Sequence, residues 1–187
     1  CYSLFVLTDG SISDEFCSEL HVFGEVLRYP KIGVPKLTNE EFKFARRNGE
    51  GFSFYYHSDD DYVYSYNWLD VLLKAFSRPD TVLVSGFAHL GVDRFPDIVI
   101  GGITYKLVSG LRHKKDIGGV IGGSMMFDMA WLIRNKFEIA NREDWDRILS
   151  EKIQGDIISV KDTVCQHLDV GKIQRNGPNP GMRFIGE

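Results

Sequence analysis

Nowhere does this chain run unbroken in apolar residues for the ~20 positions a membrane-spanning helix needs, and no secretory signal pattern is visible at its start. Cysteine is scarce. Cys1, Cys17 and Cys165 are an odd number without a C-x-x-C spacing, so neither a disulfide framework nor a thiolate metal site is indicated. Free thiols in the cytoplasm or another reducing compartment fit this usage. Basic residues are not massed either. The net charge is -4, and the one basic cluster, Arg112-His113-Lys114-Lys115, is short; it reads as a solvated loop or a small anion site. A nucleic-acid footprint is therefore not expected. There is no internal repeat and no low-complexity tract. The glycine-rich run from Gly118 to Gly123 matches neither G-x-G-x-x-G nor G-x-x-x-x-G-K-[ST], and close packing of backbone against a neighbour or ligand accounts for it.

What is present is a 187-residue chain with 43% hydrophobic and 13% aromatic residues, enough for one well-buried domain. The chain is organised around Phe52-Ser53-Phe54-Tyr55-Tyr56-His57-Ser58-Asp59-Asp60-Asp61. Its aromatic half, bounded by Gly49 and Gly51, predicts a buried strand. Helical spacing follows from Trp68 to Phe76, placing Trp68, Leu69, Leu72, Leu73 and Phe76 on one face, with Pro79 beyond. Ahead of this centre, Tyr2–Leu7 reads as a strand leaving into Thr8-Asp9-Gly10-Ser11. A short helix over Ile12–Glu19 is capped by Ser11 or Ser13, a second strand lies within His21–Tyr29, and a proline-bounded loop runs from Pro30 to Pro35. Thr38 or Asn39 is expected to cap a helix through Arg47, with Glu40 and Glu41 in its first turn and Arg46 and Arg47 in its last. After the centre come strands at Thr81–Gly86, Asp97–Ile100, Ile103–Val108 and Ser124–Phe127. Helices are expected over Met129–Asn135 and from Asn141 to Gln154, then a strand at Ile157–Val160. The fold class is α/β, a single domain with a mostly parallel central sheet that includes an antiparallel member, flanked by helices. Residues 171–187 have no periodicity and read as a flexible tail.

A strand that delivers three carboxylates in a row is a poor way to build a core. At ~4 Å and an effective dielectric near 20, each ionised pair repels by roughly 4 kcal/mol. A divalent cation held by oxygen ligands is the simplest group to place there. The EF-hand template does not fit, because counting from Asp59 puts Tyr64 and Asp70 where it needs Gly and Glu. An aspartyl-phosphate reading of Thr8-Asp9-Gly10-Ser11 fails as well, since the nucleophilic Asp expected two residues earlier is Leu7.

Four pieces then stand in one order: Phe5-Val6-Leu7-Thr8-Asp9-Gly10-Ser11; Phe54 to Asp61 with Trp68-Leu69; Gly122-Gly123-Ser124-Met125-Met126-Phe127 with Glu143-Asp144-Trp145 and Gly155; and Gln166-His167. The set resembles the nucleotide-sugar-binding domain of GT-A-fold glycosyltransferases, closest in layout to family-2-type inverting enzymes. The resemblance implies a metal-dependent transferase. It would move a sugar from a nucleotide-sugar donor, a UDP-sugar, to a hydroxyl of a glycan or glycoprotein acceptor, with inversion. Residue by residue, it implies Asp9 as a nucleotide-base contact, Asp59 and Asp60 as nucleotide or sugar contacts and Asp61 as the metal ligand of a DxD motif. Asp144 would be the catalytic base and His167 a late metal ligand, with Mn²⁺ in preference to Mg²⁺. Lys31, in the proline-bounded loop, joins the nucleotide contacts. Residues 1–170 would form the GT-A-like domain. Such domains open with a strand and an Asn- or Arg-bearing loop ahead of the Asp-Gly-Ser strand, and that piece is expected to lie outside this numbering. Each residue also has a structural reading: Asp9 as a turn, Asp144 as a helix cap, His167 as a packed core histidine. A catalytically silent sugar-nucleotide- or metal-binding module is the alternative to an enzyme.

Overall fold

A computed structural model describes residues 2–8, 13–59, 62–87, 94–108, 123–136, 138, 149–150, 152–162, 164–169 and 172–173, with backbone alone at 34, 166–169 and 172–173. The chain begins with β1 (Phe5–Thr8), α1 (Asp14–Leu20) and β2 (Glu25–Arg28). Ser13 caps α1 as expected, its Oγ accepting from the Phe16 N–H at 3.2 Å, and the acidic first turn of Asp14 and Glu15 suits the helix dipole. β1 and β2 form a separate parallel pair, Phe5 opposite Glu25 and Thr8 opposite Arg28.

Helix α2 (Val34–Asn48) starts earlier than its composition suggested. Pro35 lies in its first turn and Gly33 precedes it. A proline fixes the helical φ and lacks an N–H that would have no partner there, so it opens this helix instead of delimiting it. Thr38 is consequently an interior, buried residue, and Glu40 and Glu41 fall in the second turn. Arg46 and Arg47 occupy the last turn and Gly49 ends the helix, as expected.

Then follow β3 (Phe54–Ser58), β4 (Tyr62–Tyr64), α3 (Trp68–Ala75), β5 (Thr81–Ser85), β6 (Asp97–Ile100), β7 (Ile103–Leu107), β8 (Ser124–Asp128), α4 (Met129–Arg134), β9 (Asp156–Val160), β10 (Cys165–Asp169) and β11 (Lys172–Ile173). The buried face of α3 centres on Val71, Leu72 and Ala75, with Leu69 exposed. β6 and β7 make a two-residue hairpin at Gly101-Gly102, whose φ values of 54° and 82° are those a primed turn demands. Of the helix expected over 141–154, residues 149, 150 and 152–154 are described; 149, 150 and 152 are helical, whereas 153 and 154 are not. β11 adds a short strand to β10 inside the stretch expected as a tail.

The main sheet has the order β3-β8-β5-β9-β7-β6. β3, β5, β9 and β6 run one way, β8 and β7 the other. The expected α/β architecture and the shared strand direction are thus present. The pairing corrects the expectation, because β5–β9 is the one parallel ladder of this sheet among the described residues. β8 and β7 lie between strands that share a direction, so every contact they make is antiparallel. β4, β10 and β11 form a smaller sheet, order β11-β10-β4.

Alternation along the strands divides the core into two layers. Leu83, Met125, Phe127 and Ile157 face α2 and α4, where they meet Phe42, Ala45, Met129, Trp131 and Leu132. Val84, Met126, Ile158 and Val160 face α3 and pack on Val71, Leu72 and Ala75. Phe42 is the hinge pin of the first layer: fully buried, it sets its ring edge-on to Tyr55 at 5.8 Å and to Phe127 at 5.4 Å. Phe42→Ala is therefore expected to cost about 3–5 kcal/mol in urea unfolding. A loss under about 1 kcal/mol would mean that α2 is not seated on the sheet in this way.

Candidate functional site

β3 carries the first acid of the triplet to the surface. With a two-residue period, Phe54 and Tyr56 turn toward α3, against Phe76 at 4.6 Å and Trp68 at 4.8 Å. Tyr55 and His57 turn toward α2. Glu41, one turn into the body of α2, meets both. It accepts a short hydrogen bond from the Tyr55 hydroxyl, and both its oxygens lie 2.9 Å from His57 Nδ1. The other ring nitrogen, Nε2, is 3.3 Å from Asp59 Oδ1. His57 is buried, with a side-chain exposure of 5%, between Glu41 at 19% and Asp59 at 42%.

The electrostatics follow from that arrangement. Burial works against a charged imidazole and is the largest single influence. The charge of Glu41, the close approach of the Asp59 carboxylate, the hydrogen bond to Glu41 and the charge of Asp59 together outweigh it, lifting the His57 pKa from 6.5 to about 10. His57 is an imidazolium flanked by two carboxylates. Burial first, then the charge of Glu41, hold the Tyr55 phenol well above its usual range, so it remains a donor.

The opposite face of the strand end is held by hydroxyls. Ser58 Oγ donates to the Asp59 carbonyl at 2.7 Å and lies 2.5 Å from the Tyr64 hydroxyl, while the Tyr56 hydroxyl is 2.8 Å from Ser124 Oγ. The Asp59 N–H continues the β3–β8 ladder to the Gly123 carbonyl at 3.1 Å. Gly123 is needed there for space, since a Cβ at that position would come within 2.3 Å of the Tyr62 ring. Packing against a neighbour, one of the readings given to the glycine run, is what Gly123 does.

β4 starts at Tyr62, directly after Asp61, and pairs antiparallel with β10. Cys165 stands opposite Tyr64, Gln166 opposite Val63 and His167 opposite Tyr62. The backbone of His167 is thereby brought beside the residue next to Asp61, although the two are far apart in sequence.

One register row crosses all six strands of the main sheet: His57, Met125, Ser85, Ser159, Lys106, Asp97. Apart from Met125 and the exposed Asp97, its members are buried polar groups. Ser85 Oγ and Ser159 Oγ donate to the Phe87 carbonyl at 3.2 and 3.3 Å, and Lys106 Nζ donates to the Phe95 carbonyl at 3.2 Å and pairs with Asp97 at 2.6 Å. The hydroxyls of Ser85 and Ser159 and the Lys106 ammonium thus find partners at the edge of the apolar layer and anchor the chain at Phe87 and Phe95.

The fold is similar to that of A197 from STIV. The crystal structure of that protein superposes with a TM-score of 0.56 at 11% identity, covering 88% of this chain and 84% of that one. At this identity the likeness concerns the fold alone. No protein-family model and no curated protein matches the sequence.

Of the residues singled out from the sequence, Asp9, Asp60, Asp61 and Asp144 lie outside the described residues, as does the side chain of His167. Lys31 is exposed in the loop between β2 and α2. Asp59 is placed at the end of β3. Among the described residues no group of three or more His, Cys, Asp and Glu side chains is gathered to hold a metal ion, a set that omits Asp60, Asp61 and His167. No described helix is long and apolar enough to cross a membrane, and Cys17 and Cys165 are free and buried. A cleft of about 670 Å³ opens at the far end of the sheet, between residues such as Asp80, Asp128, Trp131 and Arg134; no residue predicted for the site lines it.

Sequence reasoning did not find Glu41 and His57. The signal was available for half of the pair, since His57 shares the two-residue phase of Tyr55 and so belongs inside. Its partner could be identified only once α2 was seated on the sheet.

The raised His57 pKa fixes the sign of a pH effect. The unfolded chain binds fewer protons than the folded one between about 6.5 and 10. This contribution to stability is therefore complete below about 6.5 and is lost as pH rises through about 10. Urea unfolding across that window should show stability falling by up to about 1.4 kcal/mol per pH unit from this group. His57→Gln should be less stable and lack that component of the slope. Equal slopes in the two proteins would show that His57 is not charged in the folded state.

Proposed function

We propose that this domain is a metal-dependent glycosyltransferase that uses a nucleotide-sugar donor, a UDP-sugar, and transfers the sugar to a glycan or glycoprotein hydroxyl. The observation that carries the reading is the β4–β10 register, with His167 opposite Tyr62. The two parts of the expected ligand set, Asp61 and His167, come from distant stretches, and the register sets the backbone of His167 opposite Tyr62, the residue that follows Asp61 in sequence. Carboxylate and imidazole donors suit Mn²⁺ better than Mg²⁺, which prefers an all-oxygen shell. The A197 likeness supports the reading only through the fold. Two free buried cysteines fit a reducing compartment, the cytoplasm or its like.

In this reading Asp61 and His167 hold the ion, Asp59 and Asp60 contact the donor, and Asp9 and Lys31 contact its nucleotide. When bound, a divalent ion supplies the positive charge that a departing diphosphate requires. Asp144 accepts the proton of the acceptor hydroxyl, a role that typically contributes 10²–10⁴-fold. A single displacement assisted by one base needs no covalent intermediate, so the product is inverted at the anomeric carbon. Asp59, fixed at side chain, amide and carbonyl, orients the start of the acidic run before any ligand arrives.

UDP is expected to raise the melting temperature only in the presence of Mn²⁺, by the equivalent of about 2.7 kcal/mol at 100 times its dissociation constant. Asp61→Asn should abolish most of that shift, while Asp70→Asn, on the exposed first turn of α3, should leave it unchanged. An equal shift in excess EDTA would refute metal dependence.

Asp144→Asn should leave UDP binding close to wild type and lower transfer by two to four orders of magnitude, the range of a lost general base. Proton NMR of the product should show inversion. Retained configuration, or a loss of donor binding together with a lower melting temperature, would instead make Asp144 a structural helix cap or the mechanism a different one. A protein that binds UDP but transfers nothing with any acceptor would be the silent module.

A further inference from the structure

We infer that Glu41 and His57 are positioning residues for the donor site, acting through Asp59. The inference rests on the glycosyltransferase reading and names residues that reading does not use. His57 presents one ring nitrogen to Glu41 at 2.9 Å and the other to Asp59 at 3.3 Å, so the pair spans from the middle of α2 to the first acid of the triplet. A core ion pair whose task was only to fasten α2 to β3 would be complete with Glu41, Tyr55 and His57. The contact to Asp59 helps keep the imidazole charged and also reaches out of that core, because Asp59 is 42% exposed. It also sets a positive charge 3.3 Å from an exposed carboxylate, at a residue whose amide and carbonyl are already fixed by Gly123 and Ser58. Asp59 is thus anchored directly ahead of Asp60 and Asp61 in the chain.

The sign of the charge matters as much as the geometry. Three consecutive carboxylates repel one another, and they repel a diphosphate. An imidazolium beneath the first of them offsets part of that repulsion without occupying the surface where a ligand would sit. Glu41 keeps the imidazole oriented, with the tautomer question removed because both ring nitrogens face carboxylates. Support of this kind behind a site residue is commonly worth 10–100-fold in ligand affinity.

The experiment measures UDP affinity in saturating Mn²⁺ by calorimetry for wild type, His57→Gln, Glu41→Gln, Asp59→Asn and the double variant His57→Gln/Asp59→Asn. His57→Gln should weaken binding about tenfold, and Glu41→Gln, which keeps an acceptor for Tyr55 but loses the charge, should weaken it several-fold. In the Asp59→Asn background the His57 change should have no further effect, because its route to the ligand is already gone. Should His57→Gln fail to fold, Glu41→Gln alone and combined with Asp59→Asn carries the same test. A folded His57→Gln with wild-type affinity, or losses at 57 and 59 that simply multiply, overturns the inference and leaves the glycosyltransferase reading standing. A wild-type protein that does not bind UDP with Mn²⁺ overturns that reading, and this inference with it.

Discussion

β8 runs antiparallel between β3 and β5, and both the core and the site depend on that insertion. Met125 and Phe127 point into the layer under α2 and α4, Met126 into the layer under α3, so five residues tie together both halves of the interior. The N-terminal end of the same strand supplies the Gly123 carbonyl that receives the Asp59 amide, and Ser124, which meets the Tyr56 hydroxyl. Its other end caps α4, the Asp128 carboxylate accepting from the Trp131 N–H at 2.6 Å. Nothing larger than hydrogen would fit at 123 beside Tyr62 without displacing that ring. The entrance of β8 and the exit of β3 are therefore packed as one unit.

Charge at the exit of β3 is handled at two depths. Glu41 and His57 form an ion pair inside the protein, where removing one partner would leave the other charge with too little solvation, a loss of several kcal/mol for a buried pair. Asp59 stands at the surface and takes the remaining face of the imidazole. Together the three groups carry one net negative charge, with the positive member in the middle. A histidine suits that position because it offers two opposed donors on a rigid ring, whereas a lysine would need a flexible stem threaded through the core.

The row from His57 to Asp97 extends the same economy across the sheet. Buried hydroxyls at 85 and 159 and the ammonium at 106 all find carbonyl or carboxylate partners. Each of those carbonyls belongs to a residue flanking 88–93. Polar groups at the edge of the apolar layer thus hold the chain at Phe87 and Phe95, which an all-aliphatic row could not do because it has no directional bonds.

Local chemistry alone determined much of this protein. The aromatic run of β3, the strands on either side of Gly101-Gly102, a serine cap at the start of α1, the end of α2 at Gly49 and the β-branched run of β5 are legible because propensity, period and turn residues act over a few neighbours. The acidic triplet stands out for the same reason: adjacent like charges are costly wherever the chain places them. Tertiary structure alone decided what depends on distance along the chain. Strand direction could not be read from Ser124–Asp128, since a buried strand has the same apolar pattern in either orientation. Pro35 looked like a boundary until the helix it opens was seen to be held by Phe42 in the core. The backbone of His167 was placed opposite Tyr62 by a ladder between β4 and β10, and Glu41 reached His57 because α2 lies across β3 at one particular height. Pairing register and helix seating are set by the whole core at once, and no window of sequence contains them.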